Sequence, residues 1–405
     1  MMRSVPDDAI QVRVIESSDV LAGLGERWER LHADAQSASV FSAFDWQHLW
    51  WRMYGRGRRL RLLLAFDGDA LVGILPLYIE RVRMLGWPVR QLRFVGTGGD
   101  TSPDDLGPVL MRGRESDVAH ALARAVTELA GWDVLALTDM NPHCAFTAAI
   151  EAVARRARLA CRTGRSESIA FMRLPSSWDD WLASLHRDRR YRVRSIRKKL
   201  VATHPDARFF VWDDAATLDA GVDRLAYLHR KRWTASGESH GFSSPEYIEF
   251  HHAVMAACLA RDRLRLYCLE IGGKIVAMFY FYRFRDSVYL MQSGFDPDHA
   301  DLKPGQVLLG YIIEHAIGEG HAVLDFLRGE HRYKDELATG KRETVFVHAL
   351  RMRPGAFVYH LRRNWLPALK RRFKAKFNRP SETAASKISR GLEQHRLRGP
   401  AYISA

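Results

Sequence analysis

Between Ser287 and Lys334 a strand pattern, an apolar helix opened by Pro-Gly and a second strand pattern run on without a break. This order constrains the fold more than any other stretch of the chain. Val288, Leu290 and Gln292 alternate with Tyr289, Met291 and Ser293, which predicts a strand buried on at least one face and stopping at Gly294. Lys303-Pro304-Gly305-Gln306 then precedes Leu309, Ile312, Ile313, Ala316 and Ile317, whose i, i+3, i+4, i+7, i+8 spacing predicts a helix with one buried face. Proline suits the first helical position because its missing N–H would be unpaired there, and Gly305 lets a ligand approach the backbone closely. The unpaired N–H groups and positive dipole end of such a start favour an anion such as pyrophosphate. Gly318 and Gly320 end the helix, and residues 323–327 form the next strand. Two strands joined through a helix lie parallel, with a right-handed crossover. Ligands in such units gather at strand carboxyl ends and helix N-termini, which places residues 329–334 where chemistry would occur.

Upstream, Leu264 to Glu270 and Ile275 to Phe284 are apolar runs joined at Gly272-Gly273, and Arg285-Asp286 turns the chain into the next strand. The predicted order is helix, three-strand meander, helix, strand. That order resembles the GNAT acyltransferase fold, an α/β architecture of mixed sheets. The residues resemble its branch typified by the cellulose-biosynthesis protein CelD and the FemAB-like proteins. The likeness rests on Lys303-Pro304-Gly305 before the helix and on Asp325-Phe326-Leu327-x-Gly329-Glu330-x-x-Tyr333-Lys334 after it, and extends more weakly over residues 40–340.

Sliding the chain by 204 residues lays Arg59-Leu60-Arg61-Leu62 on Arg263-Leu264-Arg265-Leu266, Gly68 on Gly272, Val72 on Val276 and Tyr78 on Tyr282. Phe41-Ser42 and Phe242-Ser243 each precede an aromatic-rich helical segment. The spacing is too long for solenoid repeats and points to two similar domains side by side. The expected organisation is a degenerate GNAT-like domain over 1–170, an acyltransferase domain over 171–350 and a basic helical tail over 351–405. The Pro-Gly helix start and the terminal motif occur in the second copy alone, so the first reads as a scaffold or acceptor-side domain.

The resemblance implies transfer of an acyl group, acetyl in the first instance, from acyl-CoA to an amine or hydroxyl of a polysaccharide or cell-envelope precursor. Such transfer needs a base for the acceptor's proton, donors for the tetrahedral oxyanion and an acid for the departing thiolate. Lys303, Pro304, Gly305 and Gln306 are the candidate donor-binding residues. Glu330 is the candidate base or acceptor-orienting carboxylate, and His331 a substitute with a suitable ordinary pKa. Tyr333 stands roughly where GNAT enzymes often carry a tyrosine acid. Lys334 either neutralises developing negative charge or pairs with Asp325, whose carboxylate inside a strand needs a partner. Lys303-Pro304-Gly305-Gln306 departs from the usual GNAT pyrophosphate loop, which leaves an aminoacyl-tRNA donor, as in the Fem peptidoglycan enzymes, as the alternative. A non-catalytic accessory role in polysaccharide synthesis is the third reading.

Composition agrees with a multidomain chain. Its 405 residues and 47% hydrophobic content suffice for a core in each of two or three domains. No run approaches the ~18 apolar residues of a membrane span, and the N-terminus lacks a signal-peptide core, so a cytoplasmic location is expected. Cys144, Cys161, Cys258 and Cys268 form no C-x-x-C pair and read as reduced packing residues, with no metal expected. The net charge of +14 concentrates at Arg187 to Lys199 and Arg362 to Lys376. The first cluster suits a CoA phosphate or tRNA. The second is interleaved with Phe357, Leu361, Trp365, Leu369 and Phe373, and suits a basic amphipathic helix over 357–376 at the inner face of an anionic membrane or against an acidic partner. DNA is not an expected partner.

Other patterns fail their context. Gly237-Glu238-Ser239-His240-Gly241 lacks the preceding strand that a nucleophile elbow needs. Gly96-Thr97-Gly98-Gly99-Asp100 superficially follows a dinucleotide fingerprint, but Thr101 stands where its third glycine belongs and no apolar helix follows. The loop with Thr101, Ser102, Asp104 and Asp105 is a candidate acceptor contact, as the resemblance to the CelD-like pattern, which places an acidic loop here, implies. Trp46, Leu49, Trp50, Met53 and Tyr54 form a core stripe, while Trp51 lies off it and faces solvent or a sugar.

Overall fold

The computed structural model describes residues 10–236, 242, 244–329 and 331–362. The Gly-x-Ser-x-Gly segment, Glu330 and nearly all of the basic tail lie outside the described residues. Strands β1 (Gln11–Ile15), β2 (Arg59–Asp67), β3 (Ala70–Met84), β4 (Trp87–Phe94), β5 (Val109–Leu110), β6 (Val134–Met140) and β7 (Ala160–Arg173) precede the basic helix Arg187–Thr203. Strands β8 (Arg208–Val211), β9 (Leu264–Ile271), β10 (Lys274–Phe284), β11 (Ser287–Phe295), β12 (Val323–Asp325) and β13 (Gly340–Leu350) follow it. All join one mixed sheet in the order β1-β2-β3-β4-β6-β13-β7-β12-β11-β10-β9-β8, with β5 paired to β3.

The two halves repeat one plan, a tandem of GNAT-like units. In each, a short strand and helices lead into an antiparallel three-strand meander. A helix (Glu115–Glu128 or Pro304–Gly318) then carries the chain to a strand parallel to the last of the meander, β6 beside β4 and β12 beside β11. The final strands are exchanged. β13, from the second half, pairs with β6 of the first, and β7, from the first, pairs with β12 of the second. β7 and β13 pair with each other along their length, Ala160↔Leu350 to Phe171↔Gly340.

The second half is layered about β10. Phe279 and Phe281 face the helix Pro304–Gly318, where Leu308, Leu309, Ile312, Ile313 and Ala316 are buried. Met278, Tyr280 and Tyr282 alternate to the other face, where they meet Leu225 and Leu228 of the helix Leu218–Ser236.

Three local expectations are corrected. β11 runs through Gly294 to Phe295, because a Cβ there would lie 2.4 Å from the His229 backbone nitrogen; the glycine lets the helix Leu218–Ser236 press onto the strand. β12 stops at Asp325, since Leu327 takes a left-handed backbone (φ 49°). Trp51 is buried, its Nε1 donating to Ser18 Oγ at 2.9 Å, and so does not face an acceptor.

Gly294→Ala is expected to cost about 1–3 kcal/mol, because the obstacle is backbone and cannot rotate away. Gly310→Ala, whose added Cβ has 3.9 Å of room inside a helix, should instead stabilise by about 0.5–1 kcal/mol. Urea unfolding of both variants checks the opposite signs.

Candidate functional site

The site begins where β12 ends. Asp325 Oδ1 accepts the Leu327 N–H at 2.8 Å and fixes the left-handed turn, while Oδ2 accepts from Arg342 Nε at 2.6 Å. The expected Asp325–Lys334 pair is not formed. Lys334 Nζ, brought back by the short helix Arg332–Leu337, donates to the carbonyl oxygens of Phe326, Leu327 and Arg328 at 2.8, 3.3 and 2.9 Å. Burial pushes the Lys334 ammonium down to about 8, against the opposing pull of Asp104 and Asp325.

The first half supplies the other wall. Asp104, fully buried, accepts from both the backbone N–H and Nε of Arg328 at 3.0 Å, and Arg328 also reaches Ser102 Oγ and Asp139. Asp105 pairs with Arg342 at 2.8 Å. The acidic loop expected to contact an acceptor thus holds the two arginines of the second half, and lines neither of the cavities described next. Burial raises the Asp105 carboxyl to about 7; Arg342 opposes this, but Asp104, Asp325 and Asp139 add to it.

Two cavities flank the 326–334 loop. The larger, about 340 Å³, starts at the N-terminus of the helix Pro304–Gly318. Lys303 holds a left-handed conformation (φ 51°, ψ 51°) that turns the chain into this helix, and Lys303, Pro304, Gly305 and Gln306 all line the cavity. A Cβ at Gly305 would meet nothing closer than 3.7 Å, so the backbone there is open to a ligand. Phe279, Phe295, Leu309 and Ile313 make the cavity apolar below, while Arg189 and Arg192 of the basic helix border it above. That helix is distinct from Trp178–Ser184, the break falling at Leu185-His186. Ion pairs Arg189–Glu336 (3.0 Å) and Arg197–Glu314 (2.5 Å) clamp it over the cavity.

The smaller cavity, about 200 Å³, is polar and lined by His229, Trp233, Gln292, Arg328, His331 and Lys334 among others. Arg232, Ser293 and Tyr333 line both. Arg232 donates to Ser293 Oγ at 3.1 Å and lies over the rings of Trp233 and Phe295. His331 stacks on Tyr333, centroids 5.8 Å apart. Burial pushes the Tyr333 phenol up to about 12, so it keeps its proton at neutral pH. The structure therefore brings the 303–306 segment, His331, Tyr333 and Lys334 to two adjoining cavities, and places Asp325 beneath them as a turn anchor. Arg232, Ser293 and Trp233 escaped sequence reasoning, since no spacing pattern marks them. Arg328 lay inside the quoted motif as an unspecified position. Among the described residues, no group of three or more His, Cys, Asp or Glu is placed to hold a metal, and no helix is long and apolar enough to cross a membrane.

Holding a proton that the unfolded chain releases near 3.8, Asp105 contributes stability that is full below that pH and is lost as pH rises through about 7. The unfolding free energy of the wild type relative to Asp105→Asn should therefore fall between about pH 4 and about pH 7. A difference that stays flat across this range would show Asp105 charged throughout.

Residues 187–335 match the sequence profile of the Acetyltransferase (GNAT) domain. A search of curated proteins finds no match. Among solved structures, the fold is similar to that of FemX, at 10% identity and a TM-score of 0.56, covering 83% of this chain and 96% of that one. It is also similar to a conserved protein of unknown function from Bacteroides thetaiotaomicron, at 13% identity and a TM-score of 0.52, covering 84% of this chain and 100% of that one. Residues 187–335 thus match a GNAT-type acetyltransferase domain, and the chain as a whole shares its fold with FemX.

Proposed function

We propose that the protein is an acyltransferase that moves an acyl group, acetyl in the simplest case, from acyl-CoA to an amine or hydroxyl of a polysaccharide or cell-envelope precursor. The observation that carries this reading is the junction of the two cavities at Arg232, Ser293 and Tyr333. The larger has the form a thioester carrier requires: a helix N-terminus and arginines for phosphates, then an apolar channel for the arm. The smaller offers polar contacts to an acceptor. The precursor class rests on analogy with CelD-like proteins.

The acceptor nitrogen or oxygen attacks the thioester carbonyl carbon and loses its proton to a base. The tetrahedral oxyanion then collapses as the C–S bond breaks, and the thiolate takes a proton. Tyr333, protonated and lining both cavities, is the donor to the thiolate. His331, in the acceptor cavity, and its sequence neighbour Glu330 are the candidates for the base. Lys334 and Asp325 hold the loop in shape through its backbone.

An aminoacyl-tRNA donor is the second reading, favoured by the exposed Arg187, Arg192, Arg194, Lys198 and Lys199 on the helix that borders the larger cavity.

Immobilised CoA should retain the wild type and release it to free CoA, while Gly305→Trp, filling the helix start, should not be retained. Tyr333→Phe should lower kcat for thiol release by about 10²–10⁴ with little change in KM. No CoA-dependent retention, together with binding to aminoacyl-tRNA, would replace the first reading with the second.

A further inference from the structure

At the end of the sheet remote from both cavities, β3 turns into β4 through Leu85 and Gly86, with Met84 paired to Trp87. Both turn residues have positive φ, 51° and 80°. A two-residue hairpin turn of this kind favours Asn-Gly, and a leucine pays in backbone strain to stand at its first position. Leu85 is 58% exposed and Trp87 51%. Beside this tip lies the helix Pro354–His360. It is seated by Ala356 and Tyr359 against Val89, Val134 and Ala136, and a Cβ at Gly355 would lie 3.3 Å from the Pro88 carbonyl oxygen. The helix and the residues before it present Met352 (93% exposed) and Phe357 (69%) to solvent. These four residues account for four of the nine large exposed hydrophobics among the described residues.

The surroundings are basic. Arg81, Arg83 and Arg353 are exposed around the apolar tip, and none forms a salt bridge among the described residues. Between residues 351 and 379 the sequence holds ten Lys or Arg and no Asp or Glu. We propose that the 84–87 hairpin tip and the helix Pro354–His360 form a docking surface for an anionic lipid bilayer. The apolar residues enter the headgroup boundary and the arginines meet lipid phosphates, the combination of two weak signals that stable peripheral binding needs. Leu85 and Met352 have no ring to stack on the unpaired bases through which RNA is read, which favours lipid over RNA as the partner of the same charges. The surface does not depend on the acyltransferase reading, and none of its residues lines either cavity.

The full-length protein is sedimented with vesicles of phosphatidylcholine alone and of phosphatidylcholine mixed with phosphatidylglycerol. Binding to the mixed vesicles alone, weakening as salt is raised, is expected. Trp87→Ser combined with Phe357→Ser should lower partitioning by about tenfold or more. Leu85→Asn should lower it several-fold while leaving the melting temperature unchanged or higher, which separates docking from folding. Any of the following results overturns the proposal. These are equal binding to neutral vesicles, no binding to either, full binding by the substituted proteins, or total tRNA binding in place of vesicle binding. A dimer without vesicles that the Trp87 and Phe357 substitutions dissolve would likewise overturn it, in favour of a second copy as the occupant.

Discussion

Exchange of the last strands is the constraint on which the rest of the structure depends. Because β13 lies between β6 and β7, and β7 between β13 and β12, neither half has a complete sheet of its own. Separating the halves would expose the ladder edges of four strands, each a row of backbone groups needing partners. The seam is therefore as rigid as a sheet interior. It also brings the carboxyl end of β12 against the loop after β4, so that Asp104 and Asp105 of one half hold Arg328 and Arg342 of the other. The first half thus contributes to the site through three carboxylates, Asp104, Asp105 and Asp139, that fix the two arginines.

At that seam, Asp104, Asp105, Asp139 and Asp325 face Arg328, Arg342 and Lys334. Full ionisation would leave one negative charge in excess in a largely buried place, where an uncompensated charge is costly. Burial raises both Asp104 and Asp105 against the pull of the arginines, and at Asp105 the neighbouring carboxylates add to it. Lys334 is held by carbonyl oxygens and not by a carboxylate, and burial lowers it more than Asp104 and Asp325 raise it. What the arrangement secures is shape: the carbonyls of Phe326, Leu327 and Arg328 turn to Lys334, while Arg328, His331 and Tyr333 line the cavities.

Much of this was legible in the sequence wherever the signal is local. The helix Pro304–Gly318, its Pro-Gly start and its buried stripe follow from spacing, and the 204-residue offset of Arg59-Leu60-Arg61-Leu62 marked the repeated meander. The strand exchange was not legible, because β7 and β13 alternate in the same way whichever neighbour they pair with. Gly294 read as a stop because a glycine demanded by helix contact and one demanded by a turn are identical in sequence. Trp51 read as exposed because the stripe of one helix face says nothing of an N-terminal segment folding over the other. The roles of Asp104 and Asp325 turned on partners more than 200 and 15 residues away respectively, Arg328 and Arg342.

Tyr333, Ser293 and Arg232 form a party wall between two rooms with separate contents. For the proposed transfer this would let carrier and acceptor be resident together, one on each side of these three residues, so that neither need leave before the other enters. The acyl group then crosses a thin partition in a single passage, with no stopover on an enzyme side chain.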